Sequence, residues 1–178
     1  THFFLEPKDV PRYTSYYQPD GKGKLSLLDP GSEKSTRISS PKTFYSGSGG
    51  LNATAIDYFK FCQMVMQDGV YNGVRIAKPS TIALMKTDQL PLTLDGYTKP
   101  KDDLKNHGWT FGFMIKRREV GNDPVPAGTI SWGGATGPVF FIDLKNEVVA
   151  IMMCQTPSTY PLEFRKDFRK WVMKSLVN

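Results

Sequence analysis

One stretch of this 178-residue chain combines residue types and a spacing from which chemistry could be built. Trp132-Gly133-Gly134-Ala135-Thr136-Gly137 stands directly ahead of the apolar run Val139-Phe140-Phe141-Ile142. Glycine inside a strand gives up packing and costs entropy on folding. Three glycines among the five positions 133 to 137 therefore signal one of two things. One is a tight connection between strands, the commonest use of glycine. The other is a bare backbone against which a ligand lies, held by exposed N–H groups. Residue types by themselves leave both open.

Other residues with chemical potential are sparse. His2 and His107 lie far apart, with no carboxylate or cysteine at ligand spacing, so no metal is assigned. Cys62 and Cys154 each sit among apolar neighbours and read as small core residues, not as a disulfide framework. No cofactor motif is present, and none is assigned. Twenty-three Lys and Arg against 17 Asp and Glu give a net charge of +6. These basic residues are dispersed, apart from Lys116-Arg117-Arg118 and the Arg165–Lys174 segment, and no nucleic-acid motif accompanies them. Solvated faces account for that pattern, and no nucleic-acid partner is expected.

The elements that must position these residues follow from periodicity. Residues 1–47 are rich in Pro, Gly, Ser, Asp and Lys and form a loop-rich lead-in, with one hairpin expected around Pro19-Asp20-Gly21. Ile56, Phe59, Val65 and Met66 recur at helical steps, Thr54 is a good N-cap, Asp57 follows three residues later, and Gly69 is a stop. A helix is predicted over 54–68. Pro79 opens a second, short helix through Lys86, and residues 91–108 form a polar connection. Then come four expected strands: Trp109–Val120 as one, followed by runs starting at Thr129, Pro138 and Glu147. Leu162, Phe168, Trp171, Val172 and Leu176 mark a closing amphipathic helix that should pack on the sheet. The prediction is one α+β domain over 1–178, an antiparallel sheet flanked by helices, helical over 48–90 and sheet plus helix over 108–178. No apolar run approaches the length of a transmembrane segment.

Two segments together resemble a known family. Ser46-Gly-Ser-Gly-Gly-Leu-Asn-Ala-Thr-Ala-Ile-Asp-Tyr58, with Gly73-Val-Arg-Ile76 and a short helix after it, is similar to the helix start in the C-terminal half of β-lactamase-related serine hydrolases. Trp132-Gly133-Gly134-Ala135, with Phe140, Asp143 and Gln155 behind it, resembles that family's active-site strand. Class C β-lactamases, family VIII carboxylesterases and penicillin-binding proteins belong to this group, and the likeness covers most of residues 44–176.

The resemblance implies the C-terminal part of a β-lactamase/transpeptidase-like fold. It also implies an acyl-enzyme mechanism on an acyl ester, amide or β-lactam-like small molecule. Substrate would lie along Trp132, Gly133 and Gly134, the Ala135 N–H would be one oxyanion-hole donor, and Ser48 and Gly49 would line the facing side of the cleft. Trp132 where part of the family has Lys or His removes a cation for a β-lactam carboxylate, which favours esterase or peptidase-like chemistry. The family's Ser-x-x-Lys is met by letters alone at Ser39-Ser40-Pro41-Lys42, where Pro41 argues against a helix. None of the eight tyrosines has Asn two residues on, so Tyr-x-Asn is absent. The expectation is therefore a C-terminal piece, inactive alone, whose partner is the missing N-terminal half of a parent hydrolase. An exposed sheet edge and a homodimer follow from that truncation. The alternative is a non-catalytic binding or regulatory module on the same fold. Relatives of this kind are often exported, which points to the periplasm or cell surface.

Overall fold

The computed structural model describes residues 1–20, 22, 24–35, 43–91, 106–119, 121, 123–157 and 163–176. Ser39–Lys42, most of the 91–108 connection and Leu162 lie outside these described residues. The chain gathers into two compact units. The first holds Thr1–Tyr58, Gly134–Pro138 and Met153–Pro161, and the second holds Phe59–Gly133, Val139–Met152 and Leu162–Asn178.

In the first unit the expected hairpin forms from β1 (Tyr16–Pro19) and β2 (Leu25–Asp29). The Asp20 carboxylate shapes its turn by accepting from the backbone N–H groups of Lys22 and Lys24, at 2.9 and 2.8 Å. A 3-10 turn at Pro7–Arg12 escaped the loop reading, because Pro7 and Pro11 suit a short helical turn while giving no periodicity. His2 bridges Asn52, and the Phe3 and Phe4 rings meet Tyr45 edge-on at 5.2 and 5.4 Å. The aromatic residues of the lead-in thus pack on one another.

Helix α1 (Ala55–Met66) starts as its sequence requires: the Asp57 N–H donates to Thr54 Oγ1 at 3.1 Å. Its buried residues differ from the expected stripe. Cys62, Met64 and Val65 are covered, whereas Ile56 is 71% exposed. Burial pushes the Cys62 thiol up to about 12, so this sulfur is a packing atom, not a nucleophile. After α1 the chain makes a hairpin that periodicity missed, β3 (Val70–Tyr71) and β4 (Val74–Arg75). Asn72 and Gly73 both have positive φ there, 48° and 76°, which is the Asn-Gly turn that matches strand twist. Helix α2 (Pro79–Lys86) follows, with Pro79 in its first turn.

The second unit is built on a five-stranded antiparallel meander: β5 (His107–Trp109), β6 (Met114–Lys116), β7 (Ile130–Gly133), β8 (Val139–Asp143) and β9 (Val148–Met152), in that spatial order. The single strand expected from Trp109 to Val120 is instead a hairpin. Thr110 and Phe113 bond across a tight turn, and Thr110 Oγ1 accepts from the Phe113 N–H at 3.1 Å. A hydroxyl that satisfies its own turn breaks the alternation. Successive phenylalanines on β8 serve opposite faces. Phe141 meets Phe168 of α3 (Glu163–Lys174), where Val125, Ala150, Val172 and Met173 complete a core. Phe140 meets Phe113, which meets Phe61 of α1. The sheet is therefore covered on both faces. Helix α3 packs on it as predicted, though Trp171 is 64% exposed and takes no part in that core.

Lys116, on β6, is a buried cation. Its ammonium donates to the carbonyls of Val125 and Asp123 and lies 3.6 Å from the Asp123 carboxylate, which also receives Arg169 of α3 at 3.5 Å. These contacts tie Asp123 and Val125, ahead of β7, to β6, and Asp123 to α3.

Candidate active-site strand and turn

Strand β7 delivers the residues singled out in the sequence. It pairs along its whole length with β8, Trp132 opposite Phe140 and Gly133 opposite Val139. Toward β6 the ladder is shorter and holds only Ile130 and Ser131. It stops there because Phe113, next in register, is drawn into the Thr110–Phe113 turn. Trp132 and Gly133 thus continue past the end of β6, and both are exposed.

The turn from β7 to β8 has a definite geometry. The Gly137 N–H donates to the Gly134 carbonyl at 3.0 Å, and the Gly134 N–H donates to the Pro138 carbonyl at 2.8 Å. Gly137 has φ of 98°, whereas neither Ala135 nor Thr136 has positive φ. This is a type I turn followed by a left-handed glycine, one of the standard short hairpin loops. Gly137 is there for its backbone, as the simple turn reading holds. Gly134 has a packing reason, since a Cβ at that position would lie 2.9 Å from Pro138 Cγ.

The rest of the turn is fixed by the segment after β9. The Thr136 carbonyl accepts from the Thr156 N–H at 2.8 Å, with Cys154 Sγ at 3.9 Å, and Gln155 in turn accepts from the Tyr17 N–H at 3.1 Å. Gly134, Thr136, Gly137 and Pro138 therefore all have committed backbone groups. Among the described residues the Thr136 N–H has no acceptor, but Thr136 is half-buried and its carbonyl is bound, whereas exposed Ala135 has neither backbone group bonded.

Ser48 and Gly49 are exposed residues of the lead-in to α1. Ser48 Oγ lies 3.1 Å from Ser46 Oγ, and its N–H donates to the same oxygen at 3.2 Å. Among the described residues no hydrogen bond joins this stretch to the 134–138 turn.

Trp109 was not singled out as a site residue, because one tryptophan in an alternating run reads as packing. Its ring meets Trp132 edge-on, with centroids 4.6 Å apart and planes at 64°. Only register could have shown this, since 23 residues separate the two. Its backbone is held from the other side, as Asp88 Oδ1 accepts from the Trp109 N–H at 3.1 Å and the Gln89 N–H donates to its carbonyl at 2.7 Å. Asp88 is gripped by Arg117.

With a short antiparallel sheet covered by helices and a glycine-rich strand-to-turn segment beside it, the chain belongs to the beta-lactamase family, whose model matches residues 1–171. Among curated proteins it is similar to the uncharacterized protein MT1414 and protein Rv1367c of Mycobacterium tuberculosis, each 28% identical in an alignment of 173 residues that covers 87% of this chain. The chain spans 39% of the length of those relatives. Its fold is that of two sets of solved structures. Unliganded simvastatin synthase (LovD) from Aspergillus terreus superposes with a TM-score of 0.77 at 17% identity, over 96% of this chain and 45% of that one. EstCE1, described as a hydrolase with promiscuous acyltransferase activity, gives 0.71 at 19% identity, again over 96% of this chain and 45% of that one.

Proposed function

We propose that this chain supplies the substrate-lining strand and one oxyanion donor to a serine hydrolase or acyltransferase that works on esters or amides through an acyl-enzyme. The observation that carries this reading is Ala135, an exposed residue whose N–H has no acceptor among the described residues, in a turn fixed by the Gly134, Gly137 and Thr136–Thr156 bonds. When a serine attacks an acyl carbon, the carbonyl oxygen gains negative charge. A donor already fixed in place stabilises that charge without reorganising, and one such bond is worth about 10²–10³ in rate. Trp132, Gly133 and Gly134 lead up to this donor, and β6 leaves Trp132 and Gly133 beyond its ladder. An extended acyl group could then lie against them as an added strand does.

Trp132 is neutral and apolar, which suits a neutral ester or amide better than a carboxylate-bearing β-lactam. The description of EstCE1 as a hydrolase with acyltransferase activity fits a site that passes an acyl group to water or to another acceptor. We assign the nucleophilic serine, its lysine and a tyrosine base to the remainder of a longer protein. The sequence offers only the Pro41-interrupted Ser39–Lys42 and no Tyr-x-Asn, and the curated relatives are more than twice as long. Ser48 and Gly49 are proposed to line the facing wall.

The test is turnover of p-nitrophenyl butyrate and nitrocefin, with intact-mass analysis after a fluorophosphonate probe, on the 178-residue chain and on the full-length natural protein. The expected result is ester turnover and a stoichiometric adduct for the full-length protein, and neither for the 178 residues. An adduct on the short chain would place the nucleophile within it, with Ser39 the first residue to map. No adduct on either would favour a binding module without chemistry.

A further inference from the structure

We infer that Trp109 is a specificity-determining residue, and that with Trp132 it forms an aromatic wall selecting esters or amides with an extended apolar or aryl acyl group. The inference rests on the proposed acyl-transfer reading, because Trp132 is three residues ahead of the Ala135 donor on one continuous strand-to-turn run.

Trp132 is 46% exposed although it sits on the central strand of the five-stranded sheet. A large ring left open on a sheet's central strand is unusual, and here it sits where β6 has ended, one residue beyond the Met114–Ser131 pair. It is not loose. Trp109 abuts it edge-on at 4.6 Å and restricts the torsions available to its indole. Trp109 is itself immobilised by the Asp88 and Gln89 bonds to its backbone, and Asp88 by Arg117. Gly108, adjacent to Trp109, has no room for a side chain, because a Cβ would lie 2.1 Å from the Asp88 carboxylate. Residue types at four positions therefore combine to hold one exposed indole in one orientation.

Two packed indoles offer a flat, weakly polar surface and little hydrogen bonding. The ligand chemistry they suit is an alkyl chain of several carbons or an aryl ring, whose burial is driven by lost apolar hydration and by contact with the π-face. A two-carbon acyl group is too short to use the wall fully. Acyl length should thus be read by Trp109 through Trp132, while the chemistry at the carbonyl depends on the oxyanion donor.

The experiment compares p-nitrophenyl decanoate and p-nitrophenyl acetate as substrates of the full-length protein and its Trp109→Ala and Trp109→Phe variants. In Trp109→Ala we expect kcat/KM for decanoate to fall at least roughly tenfold further than for acetate, mainly through KM, with much of the difference restored by Trp109→Phe. An equal fall for both esters, or none, would overturn the wall while leaving the acyl-transfer reading in place. A second measurement is independent of turnover. In a Trp171→Phe background, N-methyldecanamide titrated against tryptophan fluorescence should give a saturable change that weakens in Trp109→Ala. Failure of the parent protein to bind the amide overturns the inference. Binding without hydrolysis of either ester supports the wall and removes the acyl-transfer reading.

Discussion

The two turns at either end of β8 are built to opposite plans. At its far end, from Asp143 to Val148, every polar group of the key side chain is used. The Asp143 carboxylate is fully buried, accepting from the N–H groups of Lys145 and Asn146 at 3.0 and 3.1 Å and from Asn146 Nδ2 at 2.6 Å. At its near end, from Gly134 to Pro138, the backbone is also fixed, yet among the described residues the N–H groups of exposed Ala135 and half-buried Thr136 have no acceptor. A buried polar group must be paired, whereas an exposed one can wait for a ligand without penalty from burial. The first turn is thus a staple of the sheet, and the second is a staple that leaves donors unused, the Ala135 N–H on its exposed residue among them.

The sharpest way to separate these roles is Ala135→Pro. Proline suits the second position of a type I turn and removes only the N–H, so the fold should survive. In the full-length protein kcat toward a p-nitrophenyl ester should drop by about 10²–10³ with KM little changed. An unchanged kcat would remove Ala135 from the oxyanion role. Asp143→Ala should do the reverse. It leaves two backbone donors of the far turn without their acceptor, and the urea midpoint should report a loss of about 3 kcal/mol while kcat at low temperature stays within a factor of two. Gly137→Ala falls between them, since φ of 98° is strained for any L side chain. About 1–2 kcal/mol of stability should be lost, with a parallel fall in kcat if the turn shifts.

The smallest expected effect is electrostatic. Burial alone would raise the Asp88 carboxyl, but the Arg117 hydrogen bond, the Leu90 amide, the Arg117 charge and the Trp109 amide outweigh it and hold the group below the ordinary carboxylate range. A carboxylate depressed on folding stabilises the protein above its unfolded pKa of about 3.9, and that contribution is lost as pH falls through the folded value. Urea midpoints should therefore decline below about pH 4, and Asp88→Asn should flatten the decline. Indole fluorescence followed across the same pH range would show whether the orientation of Trp132 depends on the Asp88 brace.

Much of the framework was legible because it is local. Thr54 and Asp57 mark the start of α1, Pro79 opens α2, and Asp20 makes the first hairpin turn, each through contacts within four residues. The Asn72-Gly73 hairpin was equally legible by type and was missed only because helical periodicity on both sides drew the reading. The break at Thr110–Phe113 was harder. Its sequence alternates as a strand does, and only the Thr110 hydroxyl decides otherwise. In the same way, Ile56 fits the helical stripe by spacing but lies outside the buried face of α1, because what a helix buries depends on what is laid against it.

For the candidate site, the sequence by itself determined that residues 132–137 would be a glycine-rich strand end and turn, and it pointed to Ala135 through a family likeness. Those properties reside in residue type and nearest neighbours. What only the tertiary structure decided is which backbone groups are already committed. The Thr136 carbonyl is taken by Thr156, twenty residues on, and Trp132 is set by Trp109, 23 residues back. Register across strands brings such residues together, and register is fixed by the packing of the whole sheet, not by any one segment of it.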